Sequence, residues 1–293
     1  MRTKKRFLAL LLIFIIPCIN AAAPAPDKVT AEEVIAKHLA AIGSAEALAA
    51  VKTRIAVGNA KAITHSKVMR DVTGVAQFAS AGDKILLAMI FNLLDYPYDK
   101  AGYDGQKMTV ALLPTSGSRT SLGDFFVSHN AVFKEGLIGG ALSSAWPLLD
   151  SASTKPKLGF AGTDKIDGRE VYKLKYSPPK GSGDFQISLF FDAETFRHVR
   201  TEYQYVISNQ MGARPSEFGT TNTGSQTRSR TKLVEDFSDF KTENNLTLPH
   251  TYTIRFTQDA YQRTVVLEWV INFSQFIFNQ EIDTGAFNVS ASK

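Results

Sequence analysis

Cysteine is nearly absent: the 293-residue chain has one, Cys18. It lies within the first 23 residues, so the remainder carries no thiol for a disulfide, a soft metal site or a cysteine nucleophile. Surplus positive charge is also missing once that segment is set aside. Arg2, Lys4, Lys5 and Arg6 belong to it, and the rest of the chain sets 29 basic residues against 28 acidic ones. Binding to nucleic acid needs clustered Lys and Arg to displace counterions from phosphates, so this balance argues against such a partner. No G-x-S-x-G, H-E-x-x-H, P-loop or G-x-G-x-x-G pattern occurs, which removes the usual signatures of hydrolases and nucleotide-cofactor enzymes. The five histidines, His38, His65, His129, His198 and His250, lack paired spacing, so no metal site is expected. Asp236 and Asp239 could serve acid–base chemistry if the fold brought their carboxylates together, but their spacing suggests nothing so specific, and just before a turn they read as exposed surface acids. The expectation is a non-enzymatic protein with no catalytic residue, metal or cofactor.

An apolar run long enough to span a membrane is missing too, because the stretch Phe7 to Ile16 is followed by Pro17 and Asn20. A basic start, this short apolar run and then Ala21-Ala22-Ala23 reproduce a secretory signal peptide. The chain thus divides into a signal peptide at 1–23 and a single domain at 24–293, exported to the periplasm. Anchoring through a lipid on Cys18 is the less favoured alternative, since Pro17 stands where a lipobox prefers a small residue.

What is present is strong patterning. Thr30 and Glu33 have the spacing of a capping box, and Ala31, Ile35, His38, Leu39 and Ile42 recur at helical period up to Gly43. His38 lies on the apolar stripe and reads as a packing residue. Ser44 caps a second short helix to about Val51. From Thr53 the period becomes two. Phe185, Ile187, Leu189 and Phe191 alternate with polar residues, as do Val199, Thr201, Tyr203 and Tyr205, then Tyr252, Ile254 and Phe256, then Val265, Leu267, Trp269, Ile271 and Phe273. On this pattern His198 belongs to the polar face. Asp104-Gly105, Asp167-Gly168, Asn244-Asn245 and Asp192 to Thr195 supply hairpin turns. The fold class is therefore α+β: one large, curved antiparallel meander forming an unclosed β-barrel, with an N-terminal helix. Two segments break the rhythm. Ser121 to Leu149 is apolar without alternation and reads as inserted short helices, whereas Ser208 to Ser229 is polar, Gly-rich and reads as a mobile loop.

This order of elements resembles the periplasmic lipoprotein carriers of the LolA and LolB type and the outer-membrane lipoprotein-sorting proteins. The likeness rests on the helix Ala31 to Ile42, the insertion Ser121 to Leu149, and the hairpin segments Ile166 to Leu174, Leu189 to Thr195 and Phe237 to His250. It implies a helical lid over a hydrophobic half-barrel that binds lipid or an acylated protein. The ligand-lining residues would be Ile187, Leu189, Tyr203, Ile254, Phe256, Leu267 and Trp269 on the sheet, with Phe126, Phe133 and Trp146 on the lid. Each buried methylene is worth about 0.8 kcal/mol, enough to hold an acyl chain without charged contacts. The alternative is a filled barrel that binds other cell-envelope proteins through the loop or an exposed sheet edge.

Overall fold

The computed structural model describes residues 29–65, 70–150, 156–178, 185–208, 228–260 and 263–291. The expected signal peptide, Cys18 and residues 209–227 of the expected loop lie outside the described residues. The strands flanking that loop run up to Ser208 and resume at Arg228, where the two residues pair.

Helix α1 (Ala31–Ile42) starts at Thr30, whose hydroxyl accepts the Glu33 N–H at 3.2 Å. The reciprocal bond of a capping box gives way to an ion pair one turn on, Glu33 to Lys37 at 2.7 Å. Gly43 ends the helix in extended conformation, φ 170°. Its value is therefore space: a Cβ there would stand 2.8 Å from Leu246 Cδ2 and 2.9 Å from the Asn245 carbonyl. Helix α2 (Ala45–Ala50) follows, with the Ser44 hydroxyl accepting the Ala47 N–H at 3.2 Å.

The five strands β1 (Thr53–His65), β2 (Arg70–Ala81), β3 (Lys84–Phe91), β4 (Tyr98–Tyr103) and β5 (Met108–Val110) form one meander. A second comprises β6 (Lys157–Ile166), β7 (Arg169–Ser177), β8 (Phe185–Asp192), β9 (His198–Ser208), β10 (Arg228–Glu243), β11 (Leu246–Ala260) and β12 (Arg263–Phe278). The α+β, unclosed antiparallel sheet is as expected, but the expected single meander is two, zipped by the pairing of β1 with β12. Hairpin turns report only sequential pairs; joining the first strand to the last is set by closure of the core.

This strand order has a topological consequence. The chain leaves the sheet at one edge, β5, and re-enters at the opposite edge, β6. The segment between them carries α3 (Ser121–Ser128), α4 (Ala131–Lys134) and a 3-10 turn at Gly140–Leu142, which matches the expected helical insertion. Its Phe126, Phe133, Leu137, Leu142 and Trp146 share one core with Phe78 and Met89 of the first meander and Ile187, Tyr203 and Trp269 of the second. The sheet thus wraps around the insert, and no helix among the described residues is long and apolar enough to cross a membrane.

Turn chemistry holds at three sites and changes at one. Asp167-Gly168 and Asn244-Asn245 are two-residue turns with positive φ at both positions (49° and 81°, 49° and 62°). Asp104-Gly105 instead opens a longer connection in which the Asp104 carboxylate accepts the Gln106 and Lys107 N–H groups. The turn from Asp192 to Thr195 is as expected, with the Asp192 carboxylate accepting the Glu194 and Thr195 N–H groups.

Inward and outward faces follow the alternation from Phe185 to Leu189 in β8 and from Thr251 to Thr257 in β11. His198 departs from it: expected on the polar face, it is 2% exposed. The register of β9 against β8 slips between Phe190 and Phe191, taking Arg200 to His198 across that step. A bulge of this kind moves the residues beyond it to the other face.

Candidate functional site

Nine of the ten residues expected to line a ligand cavity are buried in the core shared by sheet and insert, and Leu267 is partly buried against it. The fold brings the three insert residues and the seven sheet residues into one cluster. A gap between the insert and β3 and β4, bordered by Leu87, Met89, Leu122 and Phe126, measures about 10 Å³, about what one water needs. Of the ten, Phe256 also borders an open groove of about 450 Å³, together with Phe125, His129, Tyr205, Ser121, Asp124, Ser128, Thr231 and Gln258. Aromatic rings form its floor, where His129 lies parallel to Phe185 at 4.5 Å and 4.9 Å from Tyr205. That volume lies within the range of small-molecule sites.

The insert is held by polar bonds at several separate places. At its start, Thr120 caps α3 by accepting the Gly123 N–H and donates its hydroxyl to buried Asp99. Tyr96 also donates to Asp99 and accepts from Trp269 Nε1 at 2.8 Å. Trp269, expected to line a cavity, thereby serves this anchor. Burial pushes the Asp99 carboxyl up to about 6, against the opposing effect of its hydroxyl donors.

In the middle of the insert, the Gly139 N–H donates to Glu235 Oε1 at 2.8 Å. The same carboxyl accepts the Tyr203 hydroxyl at 2.6 Å and the Tyr252 hydroxyl. Glu235 is 0% exposed, and burial pushes it up to about 7 although all three donors favour its charged form. Both tyrosines are pushed above their ordinary value by burial and by the adjoining carboxylate. Next along the chain, Arg54 donates to the Ala141 carbonyl; burial lowers this guanidinium to about 10. The Ser144 N–H donates to Ser80 Oγ at 2.8 Å.

Towards its end, Trp146 Nε1 donates to His38 Nε2 at 3.3 Å. That bond requires the His38 proton on Nδ1, which faces the Phe196 carbonyl at 3.1 Å. Burial lowers His38 to about 4, so the ring is neutral near pH 7. His198 packs 4.9 Å from Trp146 and is likewise pushed down, by burial and by His38. Its Nε2 meets the Thr201 hydroxyl at 3.0 Å, while Nδ1 is buried without a partner among the described residues.

Sequence reasoning passed over Glu235 in favour of its neighbours. Asp236 points the other way and pairs with Arg200 at 2.6 Å, and Asp239 pairs with Lys241 at 2.8 Å near solvent. The pair lies within β10 and does not converge. The signal for Glu235 was nonetheless there: Leu233 and Phe237 mark the inward face of β10, and strict alternation puts Glu235 between them. Among the described residues no group of three His, Cys, Asp or Glu side chains is placed to hold a metal ion.

No family model and no curated protein matches the chain. Among solved structures it is similar to a LolA superfamily protein from Nitrosomonas europaea, at 12% identity over 89% of this chain and 98% of that one, with a TM-score of 0.46. It is similar to a domain named for outer-membrane lipoprotein sorting from Vibrio parahaemolyticus, at 15% identity over 87% and 95%, TM-score 0.42. A DUF1329 family protein from Desulfovibrio piger gives 10% identity over 89% and 98%, TM-score 0.41.

Proposed function

We propose that this protein is an exported, non-enzymatic carrier or sensor that shelters acyl chains of lipid or lipoprotein on the concave face of its sheet, with residues 121–149 as a displaceable cover. The observation that carries the reading is topological. The core of an open sheet is filled by a segment that forms no strand among its described residues and lies in the chain between the two edge strands. Its aromatic and aliphatic side chains occupy the volume an acyl chain would take, and side chains from the sheet and α1 hold it at discrete polar points. Exchange of one apolar filling for another is nearly neutral in buried area, so uptake would be reversible. The groove beside Phe125 and Phe256 is the natural entry, because it already separates α3 from β9, β10 and β11.

A filled interaction module is the second reading, favoured by the near-complete burial of Ile187, Leu189, Tyr203 and Ile254. A reversible lock separates the two. Ser80 and Ser144 meet across the sheet and the insert, so a Ser80→Cys/Ser144→Cys disulfide should fasten the cover. The carrier reading expects displacement of an apolar dye by fatty acyl probes in the reduced protein and its loss on oxidation. Equal uptake in both forms, or native mass spectrometry and lipid extraction that find no acyl species together with no dye uptake, would overturn it and favour the module.

A further inference from the structure

The floor beneath the insert carries a donor–acceptor pattern of its own, and its meaning depends on the carrier reading above. Glu235 is held by two kinds of donor. The Tyr203 and Tyr252 hydroxyls belong to the sheet and stay with it, whereas the Gly139 N–H belongs to the cover and departs when the cover lifts. Gly139 and Gly140 bring bare backbone to this floor. They sit at φ 77° and 49°, a Cβ on Gly139 would collide with the Phe78 ring, and one on Gly140 would stand 2.6 Å from His198 Nδ1. That nitrogen is the buried, unpartnered atom described above. Beneath the glycine pair lie Glu235 Oε1, which accepts from both the Gly139 N–H and the Tyr252 hydroxyl, and an imidazole nitrogen without a hydrogen-bond partner among the described residues.

We infer that this floor selects acyl chains joined through a secondary amide, whose N–H takes the place of the Gly139 N–H on Glu235. A departing cover leaves a buried carboxylate short of one donor, and an unmade bond to a buried charge is costly. An amide restores it. An ester brings only acceptors, and the carboxylate of a free fatty acid would bury a second negative charge beside Glu235. The peptide link that closes the site in the empty protein is itself the model for the ligand group that opens it.

The test uses full mature protein at pH 8, above the value near 7 to which burial brings Glu235. Three probes of equal chain length, N-methyldodecanamide, methyl dodecanoate and dodecanoic acid, compete for a bound apolar dye. The amide should bind about tenfold tighter than the ester and the acid, the worth of one hydrogen bond to a charged group. Glu235→Gln keeps the shape and removes the charge, so dodecanoic acid should gain about tenfold while the preference for the amide over the ester shrinks to about threefold. An N-palmitoylated peptide and a ceramide, each compared with its ester counterpart, then distinguish a protein-borne from a lipid-borne amide; preference for either over its ester supports the inference. Equal binding of amide, ester and acid by the unaltered protein overturns it while leaving the carrier reading intact. Failure of every probe overturns the carrier reading and this inference with it.

Discussion

Two buried seats under the insert solve the same problem with opposite chemistry. At Gly139 the sheet offers an acid, Glu235, surrounded by three donors and pushed up to about 7. At Trp146, α1 offers a base, His38, with one nitrogen against a carbonyl and the other accepting from the indole, pushed down to about 4. Burial acts against charge at both, and so it moves an acid and a base in opposite directions. The histidine seat avoids the cost by staying neutral. The glutamate seat meets it with hydrogen bonds, one of which comes from the part of the chain proposed to move.

Crowding the glutamate seat gives the largest effect. Gly139→Ala adds a methyl group against the Phe78 ring at a backbone angle of φ 77°, combining overpacking with strain, and should cost about 4 kcal/mol of stability in denaturant unfolding. A loss below about 1 kcal/mol would show that the insert is not seated on the floor by this glycine.

The two seats can next be set against each other by pH. Because the folded protein raises Glu235 from 4.5 to about 7, the folded state binds the proton more tightly than the unfolded chain. The stability linked to it is fully present below pH 4.5 and is lost as pH rises to about 7. Removing the group in Glu235→Gln should therefore raise stability relative to the unaltered protein by about 3 kcal/mol across that window. His38, lowered from 6.5 to about 4, has the reverse sign: its stability is complete above pH 6.5 and is lost as pH falls to about 4. His38→Gln should lose about 3 kcal/mol relative to the unaltered protein as pH rises over that range. Urea unfolding at half-unit pH steps checks both, and slopes of the same sign in the two variants would refute the comparison.

The glutamate seat can also be dissected without removing its charge. Tyr252→Phe deletes one hydroxyl donor and nothing else, leaving Glu235 with Tyr203 and Gly139. A cost of about 2 kcal/mol at pH 8, falling when Glu235 is protonated at pH 5, is expected. A pH-independent cost would mean that the hydroxyl serves packing alone.

How much of this was written in the sequence depends on the range of the interaction. The helix of Ala31 to Ile42, the inward sets Ile187 and Leu189 or Ile254 and Phe256, and the turns at Asp167 and Asn244 are set by neighbours a few residues away, and all are legible. The β1–β12 pairing joins Thr53 to His65 with residues more than two hundred positions later, and no local pattern announces it. The crossing of the insert from edge to edge follows from that pairing and was equally hidden. His198 was misplaced because a one-residue bulge inverts the alternation, and period-two reasoning has no means of seeing an added residue. Glu235 is a different case. Its position between Leu233 and Phe237 put it inside, but an acid at an inward position reads as an error of register until its three donors, from β9, β11 and the insert, are seen together.

The smallest expected effect sharpens that last point. Asp236 is the next residue along β10 and faces outward, where Arg200 pairs with it at 2.6 Å and Lys232 with Glu202 at 2.9 Å. Its side chain and that of Arg200 are 26% and 21% exposed, so solvent and salt screen the pair. Asp236→Asn should cost about 1 kcal/mol or less, shrink further in 0.5 M salt, and leave acyl-probe displacement unchanged. Two adjacent acids would then differ because the strand turns one into the core beneath the insert and the other into water. A salt-insensitive loss as large as that of Tyr252→Phe would place Asp236 in the buried network and overturn the facing of β10 on which the acceptor floor rests.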